Sequence, residues 1–353
     1  MASTLAQKVV LNAIYFSGAV SASRFWLGGL GAILMLHHVR EEPARRFSPN
    51  AHLSVSPGFL ERVITTMKSR GVEFVSMDEA VERMKAYQPR QWQTPFMTIT
   101  LDDGYRDNLQ NAVPVFHKHK VPYTIYIAPG LVDGEASLWW EDVEAAIAAR
   151  ERFVLDAPKG RVTFDVASPA GKRRVFSELM DLLSFRVPEA EQRRLAHEIS
   201  QQCGIDQKAH VKREIMDWAQ IAELSNDPLC TIGAHTIGHY ALARLEADAA
   251  RFELEESARI IEMETGKRPA HFAFPYGYPA AAGKRDFKLA QQAGFATAVT
   301  TRHGVLYPGH VDHLYALPRI SLNGRFQSMR YVDALLSGLP TRLQNRGRAL
   351  NVG

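Results

Sequence analysis

Phe96-Met97-Thr98-Ile99-Thr100-Leu101-Asp102-Asp103-Gly104 is the stretch on which the fold turns. Its first six residues carry no charge and are rich in β-branched side chains, the pattern of a buried strand. The strand then ends abruptly on two carboxylates. Helical spacing from Asp107 to His119 comes next, followed by a second apolar run, Tyr123–Ala128, closed by Pro129-Gly130. Upstream, Ala32–Leu36 is a short apolar run that ends on His37-His38. Between the two lies a helix from Pro57 to Arg70, with Ser56 as cap and Pro57 in its first turn; Met77–Tyr87 reads as another helix.

The alternation resumes beyond residue 215: helix Trp218–Ser225, strand Cys230–Ala234, helix Ala247–Thr265, strand Phe272–Phe274, helix Lys284–Ala293, and strands Ala296–Thr300 and Tyr315–Ser321. Strands alternating with helices imply an α/β protein with a parallel sheet, closed as a barrel or open. Residues 131–215 break this rhythm. They read as a charged, mostly helical insertion with no apolar strand run.

In either form of parallel sheet, active residues lie at the carboxyl ends of strands. Three clusters fall there: His37-His38, Asp102-Asp103 and His235-Thr236-Ile237-Gly238-His239. A spacing of four can bring two imidazoles to one ion, and with a carboxylate they leave coordination positions open for water and substrate. Chance pairs are expected among 13 histidines, so spacing alone does not decide the matter. Adjacent residues at a strand end point in different directions. One aspartate can therefore bind a metal while the other takes a proton from the attacking water. Asp-Gly is also a common turn signal, but a turn leaves two acids directly after six uncharged residues unexplained.

Three segments resemble the signatures of the polysaccharide deacetylase (NodB-homology, carbohydrate esterase 4-like) family: Thr100-Leu101-Asp102-Asp103-Gly104-Tyr105, Gly233-Ala234-His235-Thr236-Ile237-Gly238-His239, and Phe272-Ala273-Phe274-Pro275-Tyr276-Gly277. The resemblance runs from about Ile33 to Asn323, apart from the insertion. It implies an irregular parallel (β/α) barrel and a hydrolase that removes N-acetyl groups from amino sugars of a glycan or glycolipid. It also implies a divalent metal, zinc by default, on Asp103, His235 and His239, with Asp102 as catalytic base. The backbone N–H of Tyr276 then serves as an oxyanion donor.

Two departures stand out. Ala273 occupies the place where the family's third motif usually carries an arginine that orients the base. Leu317-Pro318-Arg319-Ile320 replaces the leucine-x-histidine motif that supplies the general acid. Arg319 can hold charge in the site but stays protonated and cannot serve as an ordinary acid. His37, His38, Trp139 and Trp140 are expected to line the active site, the tryptophans as a sugar-stacking platform or as core anchors of the insertion. His303, His310 and His313 lack the setting of an acid. Two other readings stay open: a catalytically impaired deacetylase-like protein that binds glycan, and a non-haem iron oxygenase with the same ligand set.

Composition bounds the rest. The 353 residues are 46% hydrophobic and 23% charged, enough for a sizeable core. The net charge of +4 is unevenly placed: residues 1–40 hold Lys8, Arg24 and Arg40 with no acid, and residues 324–353 hold five arginines against Asp333. The body between is net acidic. Basic charge confined to the ends disfavours a nucleic-acid partner and suits peripheral contact with an anionic membrane. Cys203 and Cys230 make neither a disulfide framework nor a cysteine zinc site.

The chain is expected to divide into an N-terminal helical segment (1–30), a catalytic domain (31–323) interrupted by the insertion, and a basic C-terminal segment (324–353). Lys8 followed by uncharged Val9–Ser23, with Ala19-Val20-Ser21 at signal-cleavage spacing, leaves two readings of the first segment. A packed or membrane-surface helix is favoured over a cleaved signal. The expected location is the cytoplasm or the inner-membrane surface, with secretion to the periplasm left open.

Overall fold

The computed structural model describes residues 4–20, 23, 27–41, 47–89, 93–157 and 160–352. Ser21, Arg24 and Phe25, which figure in the reading of the N-terminus, lie outside them. Seven parallel strands form the frame: β1 (Gly31–Leu36), β2 (Phe96–Leu101), β3 (Tyr123–Ile127), β4 (Cys230–Ala234), β5 (His271–Ala273), β6 (Thr297–His303) and β7 (Leu317–Ser321). Each pairs with the next in chain order, and β7 and β2 both pair with β1. The sheet is thus a closed seven-stranded barrel, with no open edge between β1 and β7. The alternative of an open sheet falls away.

Period-two alternation sorts the side chains. Ile33, Tyr126, Ala273, Val299 and Leu317 fill the interior, while Leu34, Leu36, Ile99 and Leu101 belong to the larger core beneath the helices. The helix Pro57–Ser69 starts as its sequence predicts: Ser56 Oγ accepts from the Phe59 N–H, and Phe59, Leu60, Val63, Ile64 and Met67 are buried.

Strand register brings the predicted clusters level. Gly31 lies opposite Phe96 and Leu36 opposite Leu101, so His37 and Asp102 leave the barrel side by side. Ile127 lies opposite Ala234, and the His235 N–H donates to the Ile127 carbonyl. A parallel barrel thereby delivers three separate sequence motifs to one rim.

The insertion builds a core of its own from residues such as Val143, Ile147, Val175, Leu179, Leu195 and Ile199. Its helices are Trp139–Ala149, Pro169–Asp181, Glu189–Gln202 and Gln207–Glu214. One expectation is corrected here: Arg152–Ala157 and Gly160–Asp165 form an antiparallel hairpin. Among its described side chains only Phe153, Leu155 and Phe164 are buried, and the charged Arg152, Asp156, Arg161 and Asp165 around them obscure the strand signal.

Near the other end of the chain, helix Thr4–Phe16 packs Leu11 and Ile14 against Tyr331 and Ala334 of helix Met329–Leu336. No helix among the described residues is long and apolar enough to cross a membrane.

Candidate metal centre

Asp103, His235 and His239 are buried and converge, each offering one ligand atom within 4.8 Å of the others. His235 Nε2 lies 3.4 Å, and His239 Nε2 3.2 Å, from Asp103 Oδ1. Metal–ligand bonds of about 2.0–2.2 Å in a tetrahedron give ligand–ligand edges of roughly 3.4 Å. His235 Nδ1 is 2.7 Å from the Ala273 carbonyl, which can only accept. Nδ1 therefore carries the proton, and in the neutral ring the Nε2 lone pair faces the carboxylate. Two electron-rich atoms in contact want a cation between them. Asp103 Oδ1 also has no hydrogen-bond partner among the described residues. The donor set fits a divalent ion.

Backbone strain gathers at the same place. Asp103, Thr236, His239 and Tyr276 all adopt positive φ (74°, 57°, 56° and 61°), which non-glycine residues avoid. Among the described non-glycine residues, only Lys120 and Arg346 share this conformation. The His235–His239 loop is supported from behind by Glu253 of helix Ala247–Thr265, whose Oε2 accepts from the Ile237 and Gly238 N–H groups at 2.8 and 2.9 Å. Arg193, from the insertion, donates to the Gly238 carbonyl and stacks on the Tyr240 ring at 3.6 Å. Neither Glu253 nor Arg193 was singled out from the sequence; each lies in an amphipathic helix with no local motif.

Asp102 sits beside the triad in a different environment. Arg319, fully buried on β7, donates from both terminal nitrogens to Asp102 Oδ1 and Oδ2 at 2.7 Å each. The same guanidinium reaches Thr100 Oγ1 and the Thr300 carbonyl. Burial alone would raise the Asp102 pKa, but the charge and hydrogen bonds of Arg319 outweigh it and hold the carboxyl below its usual range. At Asp103, burial again opposes ionisation, while the electrostatic pull of the surrounding imidazoles, His239 first, holds the carboxyl well below that range.

A cavity of about 360 Å³ joins these groups. His37, Asp102, Asp103, His235, His239 and Tyr276 all line it, with Trp139 and Trp140 as part of the wall. Trp139 donates from Nε1 to the Tyr276 hydroxyl at 2.8 Å, and Trp140 lies 4.9 Å from the His239 ring. Both tryptophans are also core residues of the insertion, as one of the two expectations for them had it. Tyr276 is oriented by Thr301 Oγ1, which donates to its carbonyl at 2.5 Å. Its own N–H makes no hydrogen bond among the described residues.

His37 and His38 part company. His37 Nε2 stands 4.0 Å from Asp102 Oδ2, on the cavity. His38 does not line this cavity, a correction to the sequence reading. Successive residues at a strand end face opposite ways, and His38 turns to a buried pair with Asp107 (2.6 Å) and Glu141 (3.0 Å). His303 and His310 are engaged elsewhere, with Thr341 and Tyr307.

The barrel and the rim site define the class, a NodB-type (β/α) barrel. The family model for polysaccharide deacetylase matches residues 162–298, which span both histidines and the third motif but not Asp102-Asp103. That match also takes in the later part of the insertion, which the motif resemblance had left out. No curated protein matches the chain in sequence.

Solved structures with this fold include a Streptococcus pyogenes deacetylase, PplD, in complex with acetate (16% identity over 86% of this chain and 97% of that one, TM-score 0.55). Another is IcaB from Ammonifex degensii (18% identity, 88% and 97% covered, TM-score 0.53). A third is a de-N-acetylase from Aggregatibacter actinomycetemcomitans (12% identity, 86% and 99% covered, TM-score 0.54). The resemblance to the polysaccharide deacetylase family, first carried by three motifs, is borne out by a family model and by fold.

Proposed function

We propose that this protein is a metal-dependent hydrolase that removes N-acetyl groups from amino sugars of a glycan or glycolipid. One observation carries the reading: a buried Asp-His-His set and an arginine-clamped second aspartate open on the same cavity. Asp103, His235 and His239 would hold a divalent ion, zinc by default, which would supply Lewis acidity toward water and the acetyl carbonyl. Asp102, kept ionised by Arg319, takes the proton from the attacking water. The free Tyr276 N–H donates to the oxyanion that develops on the carbonyl.

His37 fills the vacancy left by the missing leucine-x-histidine motif. It flanks Asp102 on the cavity side, where it can hand a proton to the departing amine. Acetate and a free amino sugar leave.

The place of the family's missing arginine is taken by Arg319, reaching Asp102 from another strand. This weakens the reading of an impaired, merely glycan-binding protein, which rested on that absence. An oxygenase would have no use for a base held ionised in this way. Acetate release from a panel of N-acetylated oligosaccharides and glycolipids tests the proposal, with metal content measured on the same sample. Asp102→Asn should keep metal and lose activity, and Asp103→Asn should lose both. Full activity and normal metal content in Asp103→Asn would refute the ligand assignment.

A further inference from the structure

Helix Thr4–Phe16 buries one stripe and leaves the other side apolar as well. Leu5, Val9 and Phe16, spaced so that they share a face at 3.6 residues per turn, are 73%, 59% and 71% exposed. Val10 (53%) and the exposed Ala6 and Ala13 widen the same face. Leu343, from the C-terminal segment, is 63% exposed and lines a hollow with Val10, Leu11 and Ile14. Five of the nine large apolar residues that the described structure leaves exposed therefore gather at one corner. A soluble surface seldom leaves such a patch without a partner.

The charge of the corner indicates the partner. Among the described residues, none that lines the hollow is acidic. Residues 1–40 contain no acid, and the single acid of 324–353, Asp333, is buried in a pair with Arg70. Lys8 stands on the helix, and Arg346 and Arg348 are exposed just past Leu343. An apolar face flanked only by cations is the composition of an interfacial helix on anionic lipid. A second copy of the same corner would bring like charges together.

The corner also abuts the catalytic cavity. Ser321, at the carboxyl end of β7, lines both the hollow and the metal-site cavity. Arg325 ties Thr4 of the helix to the Pro49 carbonyl, next to cavity-lining Asn50.

We infer that the protein docks through helix Thr4–Phe16 and residues 343–348 on an anionic lipid bilayer, and that it acts there on an amino sugar attached to lipid. The substrate half rests on the deacylase reading above; the docking half does not. Docked in this way, the cavity rim lies beside the bilayer surface, where a lipid-linked sugar presents its head.

Cosedimentation of the full chain with phosphatidylglycerol–phosphatidylcholine vesicles tests docking, with pure phosphatidylcholine vesicles as the control. Binding should require the anionic lipid and weaken with salt. Leu5→Glu combined with Val9→Glu should lower it about tenfold or more, since two apolar side chains leave the lipid interface and two anionic ones replace them. Arg346→Glu with Arg348→Glu should weaken it independently. All four positions are exposed, so an unchanged Tm is expected and confirms folding. Equal binding by wild type and both double variants, or a dimer in solution that Leu5→Glu/Val9→Glu dissociates, would overturn the docking face.

For the substrate, an N-acetylated amino sugar on a lipid in the same vesicles is compared with its water-soluble head group. Leu5→Glu/Val9→Glu should lower turnover on vesicles about tenfold and leave the soluble reaction unchanged. If both substrates suffer equally, or neither, the lipid-linked substrate is wrong. If wild type cleaves neither while vesicle binding holds, the deacylase reading fails and docking stands.

Discussion

Arg319 and Asp102 form a two-pronged ion pair, 2.7 Å at each oxygen, with both side chains buried at the barrel rim. Arginine's planar fork matches a carboxylate at two points and fixes its plane, which lysine cannot do. Arg319→Met leaves an unpaired buried carboxylate and should cost about 3–5 kcal/mol of stability, measured by urea unfolding. The Asp102 pKa, now held down, should rise in this variant. The acid limb of the pH–rate profile should then move to higher pH. Arg319→Lys should keep more of the stability and lose rate. An unmoved acid limb in both variants would show that Asp102 is not the titrating base.

Asp102 and Asp103 were legible from sequence because a charge-free strand stops on them, and the strand rule tells which rim they occupy. His235 and His239 needed only their own loop. Arg319 was visible as a residue but not as a partner: 217 positions separate it from Asp102, and only the closure of the barrel through β1 brings β7 near β2. Glu253 gave no signal at all, because a buried acid on an amphipathic helix looks like any solvated one. The His37/His38 pair could be located but not divided, since which imidazole faces the cavity depends on the last residue of β1.

Glu253 carries the second prediction. It holds two N–H groups of the metal loop, and burial raises its pKa despite those bonds. Glu253→Ala should weaken metal binding about 10–100-fold, as the loss of a supporting contact does. Titration of the purified protein with zinc measures this directly, and unaltered affinity would remove Glu253 from the site.

The insertion is fastened to the barrel by a chain of charges running Asp107, His38, Glu141, His210, Asp142, in which His38 and Asp142 are buried and the others half-buried. Burial lowers both histidine pKa values, but the hydrogen bonds and charges of their carboxylates prevail and raise each to about 9. Between the ordinary value of 6.5 and about 9 the folded chain holds protons that the unfolded chain has released. Unfolding free energy should therefore fall as pH rises through that window. The contribution is complete below 6.5 and gone above about 9. Urea midpoints across this range should decline in wild type and decline less steeply in His38→Gln, where His210 still contributes. A steeper decline in the variant would contradict the assignment.

His37 supplies the last test, because two imidazoles outside the metal-ligand set border the cavity and only one of them flanks the base. His52 also lines it, but its Nδ1 lies 3.1 Å from the Pro49 carbonyl and burial pushes its pKa down to about 4. Burial lowers the His37 pKa too, against the pull of Asp102 and Asp103, and its Nε2 stands 4.0 Å from Asp102 Oδ2, beyond hydrogen-bond reach. A proton donor to the departing amine should be unencumbered in this way. His37→Gln should lower kcat about 10²–10⁴-fold, the usual worth of a general acid, while zinc content stays whole. Substrates with a better leaving group, such as an N-acetylated aniline, need less protonation and should lose much less. His52→Gln should leave both rates within a few-fold. Equal loss on good and poor leaving groups would place His37 in binding or orientation of Asp102, not in proton transfer.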